Sequence, residues 1–148
     1  MKAKNILNFV EELKNTLKTN DPYEIAEYYG IKILHRDSPV KDFTAYTMKF
    51  PNYPTIISIN NAYTEFSKKL LCAHELGHAL LHEGTINHFR TTGNNMAVNV
   101  EQEANLFAIA LVSDGKISET LGMPLESMNN YLLKTIMEYN LKFKGDQL

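Results

Sequence analysis

Ile6, Val10, Leu13 and Leu17 recur at helical spacing and predict an amphipathic helix over residues 4–18. Asp21-Pro22-Tyr23-Glu24 is a start signal: Asp21 can cap, Pro22 suits the first helical position, and Glu24 stands where a capping box needs it. Gly30 then closes a short second helix over 22–29. Beyond it the period changes. Residues 31–35, 43–50 and 55–59 are richer in β-branched and aromatic residues, and Pro51-Asn52-Tyr53-Pro54 forms a turn between the last two. They predict a small antiparallel sheet. A helix begins near 61–64 and runs to about His82, with Phe66, Leu70, Ala73, Gly77 and Leu81 along its apolar face. Residues 83–99 read as a long polar loop. Residues 100–112 are apolar almost all round and predict a central helix with Asn99 as its cap. Two shorter helices follow, near 114–121 and 124–141, divided by Gly122 and Pro124.

Composition narrows the function classes. The 148 residues suit one domain, 1–148, with room for a core, and 44% hydrophobic residues is ordinary for a globular protein. The net charge is −2, with 15 basic and 17 acidic residues and no basic stripe, which argues against nucleic acid or an anionic membrane as partner. Cys72 is the one cysteine, so neither an internal disulfide nor a four-cysteine zinc site can form. The N-terminal stretch has no continuous apolar core, and no segment approaches a membrane span, so a cytoplasmic location is expected.

Candidate chemistry lies in CAHELGHALLH, residues 72–82. His74 and His78 are i and i+4 on one helical face, about 6 Å apart along the axis, so their imidazoles can reach one metal ion from the same side. Glu75 lies roughly 100° round the helix from His74, beside such an ion, where it can act as a base toward water. Both histidines fall on the stripe of Phe66, Leu70 and Leu81. Unpaired imidazoles on a buried face need partners, and a metal supplies them. A catalytic zinc needs a third protein ligand and an open position. His82 is too far along the helix from His74 to supply it and reads as structural or surface. EQEANLFA, residues 101–108, opens the central helix with carboxylates. The helix dipole alone favours a glutamate there, but it does not explain why Glu101 and Asn105 share one stripe.

HELGHALLH followed by EQEANLFAIAL resembles the ImmA/IrrE family of zinc metallopeptidases, whose pattern is HELGH-x-LLH and then E-x-E-A-N/D-x-F-A. DPYEIAEYYGIKI and IISIN also fit the family's N-terminal part, so the resemblance covers roughly residues 20–113. The chain departs from it in reading ALVSDGK where the family usually reads LLMP. The resemblance implies an α+β, zincin-like fold of the glutamate-zincin type. It implies zinc as cofactor, His74 and His78 as ligands, Glu75 as general base, and a glutamate of EQEAN as third ligand. Similar glutamate-zincins carry Asp or Asn four residues after the ligand. That favours Glu101, backed by Asn105, with Glu103 as the alternative. The implied substrate is a protein, a helix-turn-helix repressor of a phage or mobile element. The rival reading is a non-catalytic, metal-containing module that binds and regulates a repressor or toxin.

Other residues read more plainly. Cys72 is core packing, His35 and His88 are surface residues, and Lys68-Lys69 is a solvated helix face. Tyr46, Tyr53 and Tyr63 could donate to an oxyanion but suit sheet and core packing better. His88, in the loop near the site, is a candidate for a minor role in substrate or oxyanion binding.

Overall fold

A computed structural model describes residues 1–38, 43–82, 95–113 and 116–146; His88 and most of the expected 83–99 loop fall outside these described residues. Helix α1 (Ala3–Leu17) buries Ile6, Val10 and Leu13 and ends where Lys18 turns left-handed at φ 58°. Helix α2 (Pro22–Tyr28) starts as expected, with the Asp21 side chain accepting from the Tyr23 N–H. The capping box is not closed by Glu24, because the Asp21 N–H donates to Thr19 Oγ1 instead. Gly30, at φ 71°, releases the chain from α2 into the sheet.

Strands β1 (Lys32–Arg36), β2 (Ala45–Met48) and β3 (Ile56–Asn60) form one sheet in the order β1-β3-β2. The fold is α+β, but the sheet is mixed and not wholly antiparallel. The turn at 51–54 is too short for anything but a hairpin, so β2 pairs antiparallel with β3, Ala45 opposite Ile59 and Met48 opposite Ile56. The path from β1 to β3 is long enough to bring the chain round in the same direction, and β1 pairs with β3 in parallel, Lys32 opposite Ile56. Central β3 is buried from Ile57 to Asn60.

Helix α3 (Glu65–Leu81) carries the histidines. Thr64 caps it by accepting from the Ser67 N–H. The expected one-sided face is wrong in detail: Leu70, Ala73 and Gly77 are buried, but so is most of the helix circumference, while Phe66 is 52% exposed. The sheet, α2 and helix α4 (Asn95–Ser113) all pack on α3. Lys68 is therefore not on a solvated face. It is 4% exposed, and its ammonium is held by Glu65 at 2.8 Å and Asn61 Oδ1 at 2.7 Å.

Helix α4 begins earlier than expected, so Asn99 lies inside it and does not cap it. Its stretch Ala104–Leu111 is buried throughout. The α3–α4 crossing is tight at Gly77, where a Cβ would stand 3.1 Å from Phe107 Cδ1 and 3.2 Å from Ala104 Cα. The predicted helix 124–141 is divided. A 3-10 turn at Leu125–Ser127 follows Pro124, and Asn129 then caps α6 (Asn130–Asn140) by accepting from the Leu132 N–H. Between them and α4 lies α5 (Lys116–Leu121). No described helix is long and apolar enough to cross a membrane.

Candidate metal centre

His74 and His78 project from adjacent turns of α3 and bring their Nε2 atoms within 3.2 Å of each other. Glu101, from α4, faces both. Its Oε2 is 3.2 Å from His74 Nε2 and its Oε1 is 3.0 Å from His78 Nε2. Tetrahedral zinc with ligand bonds near 2.0–2.1 Å separates its donors by about 3.3 Å. The three contacts lie at or just under that spacing, and all three ligand atoms fall within 4.8 Å of one another. Two imidazole nitrogens and one carboxylate are also the donor chemistry of catalytic zinc. The residues present fit the ion.

The electrostatics agree. Burial opposes ionisation of Glu101, but hydrogen bonds to His74 and His78 outweigh it and hold the carboxyl well below the usual range. Burial likewise disfavours charge on His74, yet the hydrogen bond to Glu101 and the negative charges of Glu75 and Glu101 raise its pKa above the ordinary value. The pocket is thus tuned for positive charge between these groups, as a cation site must be.

Glu75 stands beside the cluster and not in it. Its Oε2 is 3.8 Å from His74 Nε2, while its Oε1 accepts a 2.8 Å hydrogen bond from the Thr47 hydroxyl. Thr47 is fully buried on β2, and its single hydroxyl proton is shared with the Glu75 carbonyl, 3.2 Å away. Two residues on, Lys49 donates to the carbonyls of Ala79 and His82 at the end of α3, at 2.7 and 3.0 Å. Neither Thr47 nor Lys49 belongs to a motif, and sequence reading missed both. The available signal was strand alternation, which puts residues 47 and 49 on one face of an extended segment 43–50, although β2 itself ends at Met48.

Glu103 and His82 form a neighbouring group. Glu103 is not at the cluster: its Oε2 is 3.5 Å from His82 Nε2 and its Oε1 is 3.5 Å from the Met1 amine. His82, expected to be structural or surface, lies with its Nδ1 3.2 Å from His78 Nδ1, on the side of that ring away from the cluster. Asn105 is buried and close enough to His74 to favour its charged form, and its amide reaches Asn130 Oδ1 at 3.5 Å. Even so, His74 Nδ1 is a buried nitrogen with no partner in hydrogen-bonding geometry among the described residues.

The remaining candidates sit elsewhere. Cys72 is buried in the core and burial pushes its thiol pKa up, so it packs and does not attack. Tyr63 is buried and stacks on Phe143, Tyr53 is exposed, and the Tyr46 ring lies against Phe43. His35 is exposed, its ring near Tyr23.

The family model of the IrrE N-terminal-like domain (Peptidase_M78) matches residues 26–117. Among curated proteins, the chain is similar to "Uncharacterized immunity region protein 2" of Bacillus phage phi105. The two are 32% identical over 104 residues, 70% of this chain and 65% of the relative's length. No solved structure matches.

Proposed function

The chain belongs to the family of IrrE N-terminal-like domains, and from that premise we propose that it is a zinc-dependent endopeptidase that cleaves a regulatory protein of a phage or mobile element. We read residues 1–148 as one metallopeptidase domain. The observation that carries the proposal is a carboxylate beside, but outside, a two-histidine, one-glutamate cluster: Glu75, with Oε2 3.8 Å from His74 Nε2.

His74, His78 and Glu101 would hold the zinc, which when bound supplies Lewis acidity to polarise the scissile carbonyl and to acidify water. Glu75 is the general base. It takes a proton from the attacking water as the oxygen adds to the carbonyl carbon, and delivers that proton to the amide nitrogen as the C–N bond breaks. Thr47 binds one carboxylate oxygen and leaves the other toward the reacting centre. The same strand offers a place for substrate. Among the described residues β2 is an edge of the sheet, so its backbone groups away from β3 can pair with an extended peptide, and Thr47 ties that edge to the base.

The substrate we propose is a helix-turn-helix repressor. The resemblance to ImmA/IrrE peptidases supports this, as does the similarity to a protein named for a phage immunity region. Folded repressors hide most of their backbone, so cleavage should fall in an exposed loop or linker. The test is co-expression with a repressor encoded beside this gene, followed by intact mass. Specific loss of the full-length repressor, abolished by Glu75→Gln, is expected. Tight binding without a cut, or function unchanged in Glu75→Gln, would move the protein to the non-catalytic binding module.

A further inference from the structure

Each imidazole that binds a metal through one nitrogen leaves the other to be ordered by its surroundings. In this site the outer nitrogens of the two histidines are treated differently. His78 is fully buried, and its Nδ1 faces His82 Nδ1 at 3.2 Å. Two ring nitrogens at that distance are bonded when one carries a proton and the other does not. His78 is a metal donor through Nε2, which points at His74 and Glu101. A neutral His78 that ligates through Nε2 keeps its proton on Nδ1. His82 Nδ1 must then be the acceptor, and the His82 proton must sit on Nε2. That is the nitrogen that faces Glu103 Oε2 at 3.5 Å, an ion-pair contact outside hydrogen-bonding geometry, so the carboxylate acts on it by charge. A carboxylate there favours this tautomer over the other, so the proton positions run in one order from Glu103 through His82 to His78. The burial suits the role: the His82 and Glu103 side chains are 12% and 17% exposed, and bulk water does little to screen the carboxylate from the ring.

We infer that His82 and Glu103 are positioning residues that order the His78 tautomer, hold its Nε2 toward the metal and raise its affinity for zinc. The usual outer partner of a zinc histidine is a carboxylate, a backbone carbonyl or water. Here a second histidine, one helical turn further on, extends the reach of a carboxylate on the facing helix. The arrangement also explains why the EQEAN segment carries two glutamates on different faces of α4: Glu101 meets the cluster and Glu103 the relay behind it.

The inference rests on the reading of the cluster as a zinc site, and the experiment separates the two. Zinc affinity is measured by competition with a chromophoric chelator, and ring tautomers by 15N NMR of the zinc-loaded protein. Glu101→Gln, which strips a proposed ligand, should lose tight binding; if it does not, the site reading fails and the relay fails with it. With that control in hand, His82→Phe should weaken zinc about 10–100-fold. His82→Asn, whose Oδ1 can stand in for the Nδ1 acceptor, should stay within roughly threefold of the wild type. Glu103→Leu should weaken binding by less than His82→Phe but in the same direction. In the wild type, His82 should be protonated on Nε2. Equal losses in His82→Phe and His82→Asn would assign the effect to packing and overturn the relay. So would wild-type affinity in His82→Phe or Glu103→Leu, or an Nδ1 proton on His82, a readout that needs no variant to fold.

Discussion

Helix α3 meets β2 on one side and α4 on the other, and the two contacts are built from different chemistry. Toward β2, a hydroxyl and an ammonium supply the hydrogen bonds: Thr47 to Glu75, and Lys49, just past the strand, to the carbonyls that end the helix. Toward α4, three histidines face two glutamates, and the helix backbones come close enough to require glycine at residue 77. The strand side handles Glu75, the carboxylate proposed to move a proton. The helix side handles the groups that hold a cation. Because the two sets come from different elements, metal binding and cleavage should be separable by mutation.

The largest effects should come from the α4 side. His74→Ala or His78→Ala should reduce bound zinc from about one per chain to near none, checked by elemental analysis, and abolish cleavage with it. Full zinc in either variant would break the comparison at its base. On the β2 side, Glu75→Gln should keep zinc and fold and lower the cleavage rate by a factor on the order of 10² or more, read by single-turnover kinetics. If Glu75→Gln instead lost zinc, the two sides would not be separate.

Smaller effects sharpen the division. Thr47→Val keeps the shape of the side chain and removes the donor to Glu75. A hydrogen bond to a charged group is worth about 1.5–3 kcal/mol, so turnover should fall by roughly 10- to 100-fold, with zinc stoichiometry unchanged. The smallest expected change is at Gly77. A methyl group there meets Phe107 and Ala104 at 3.1–3.2 Å, and neither a fully buried ring nor a helix backbone yields easily. Overpacking of about 1–3 kcal/mol is partly offset by the better helix propensity of alanine. Gly77→Ala should lose about 1 kcal/mol net, seen as a lower denaturant midpoint with zinc still bound.

Much of the helical framework was legible because it depends on local rules. The Ile6-Val10-Leu13 stripe, the Asp21-Pro22 start and the i, i+4 pairing of His74 with His78 each follow from helix geometry within a few residues. Misreadings came where another element intervenes. Phe66 continues the apolar period yet is exposed, and Lys68 looks like a solvent residue yet is buried. Nothing near them in sequence says which neighbours cover α3. The direction of β1 is similar: its residues favour a strand, but parallel pairing depends on where β3 lies when the chain returns.

Donor types, the helical faces that two of them share, and the position of Glu75 beside them follow from the residues alone, because 3.6-residue periodicity places them without help. Only the tertiary structure decided between Glu101 and Glu103. Two residues apart on a helix are rotated by roughly 200°, so one docking of α4 on α3 sends Glu101 to His74 and His78 and Glu103 to His82. The docking angle is set by packing around Gly77, Ala104 and Phe107. Thr47 was placed the same way: a threonine in a short strand becomes the partner of Glu75 only because the sheet lays β2 along α3.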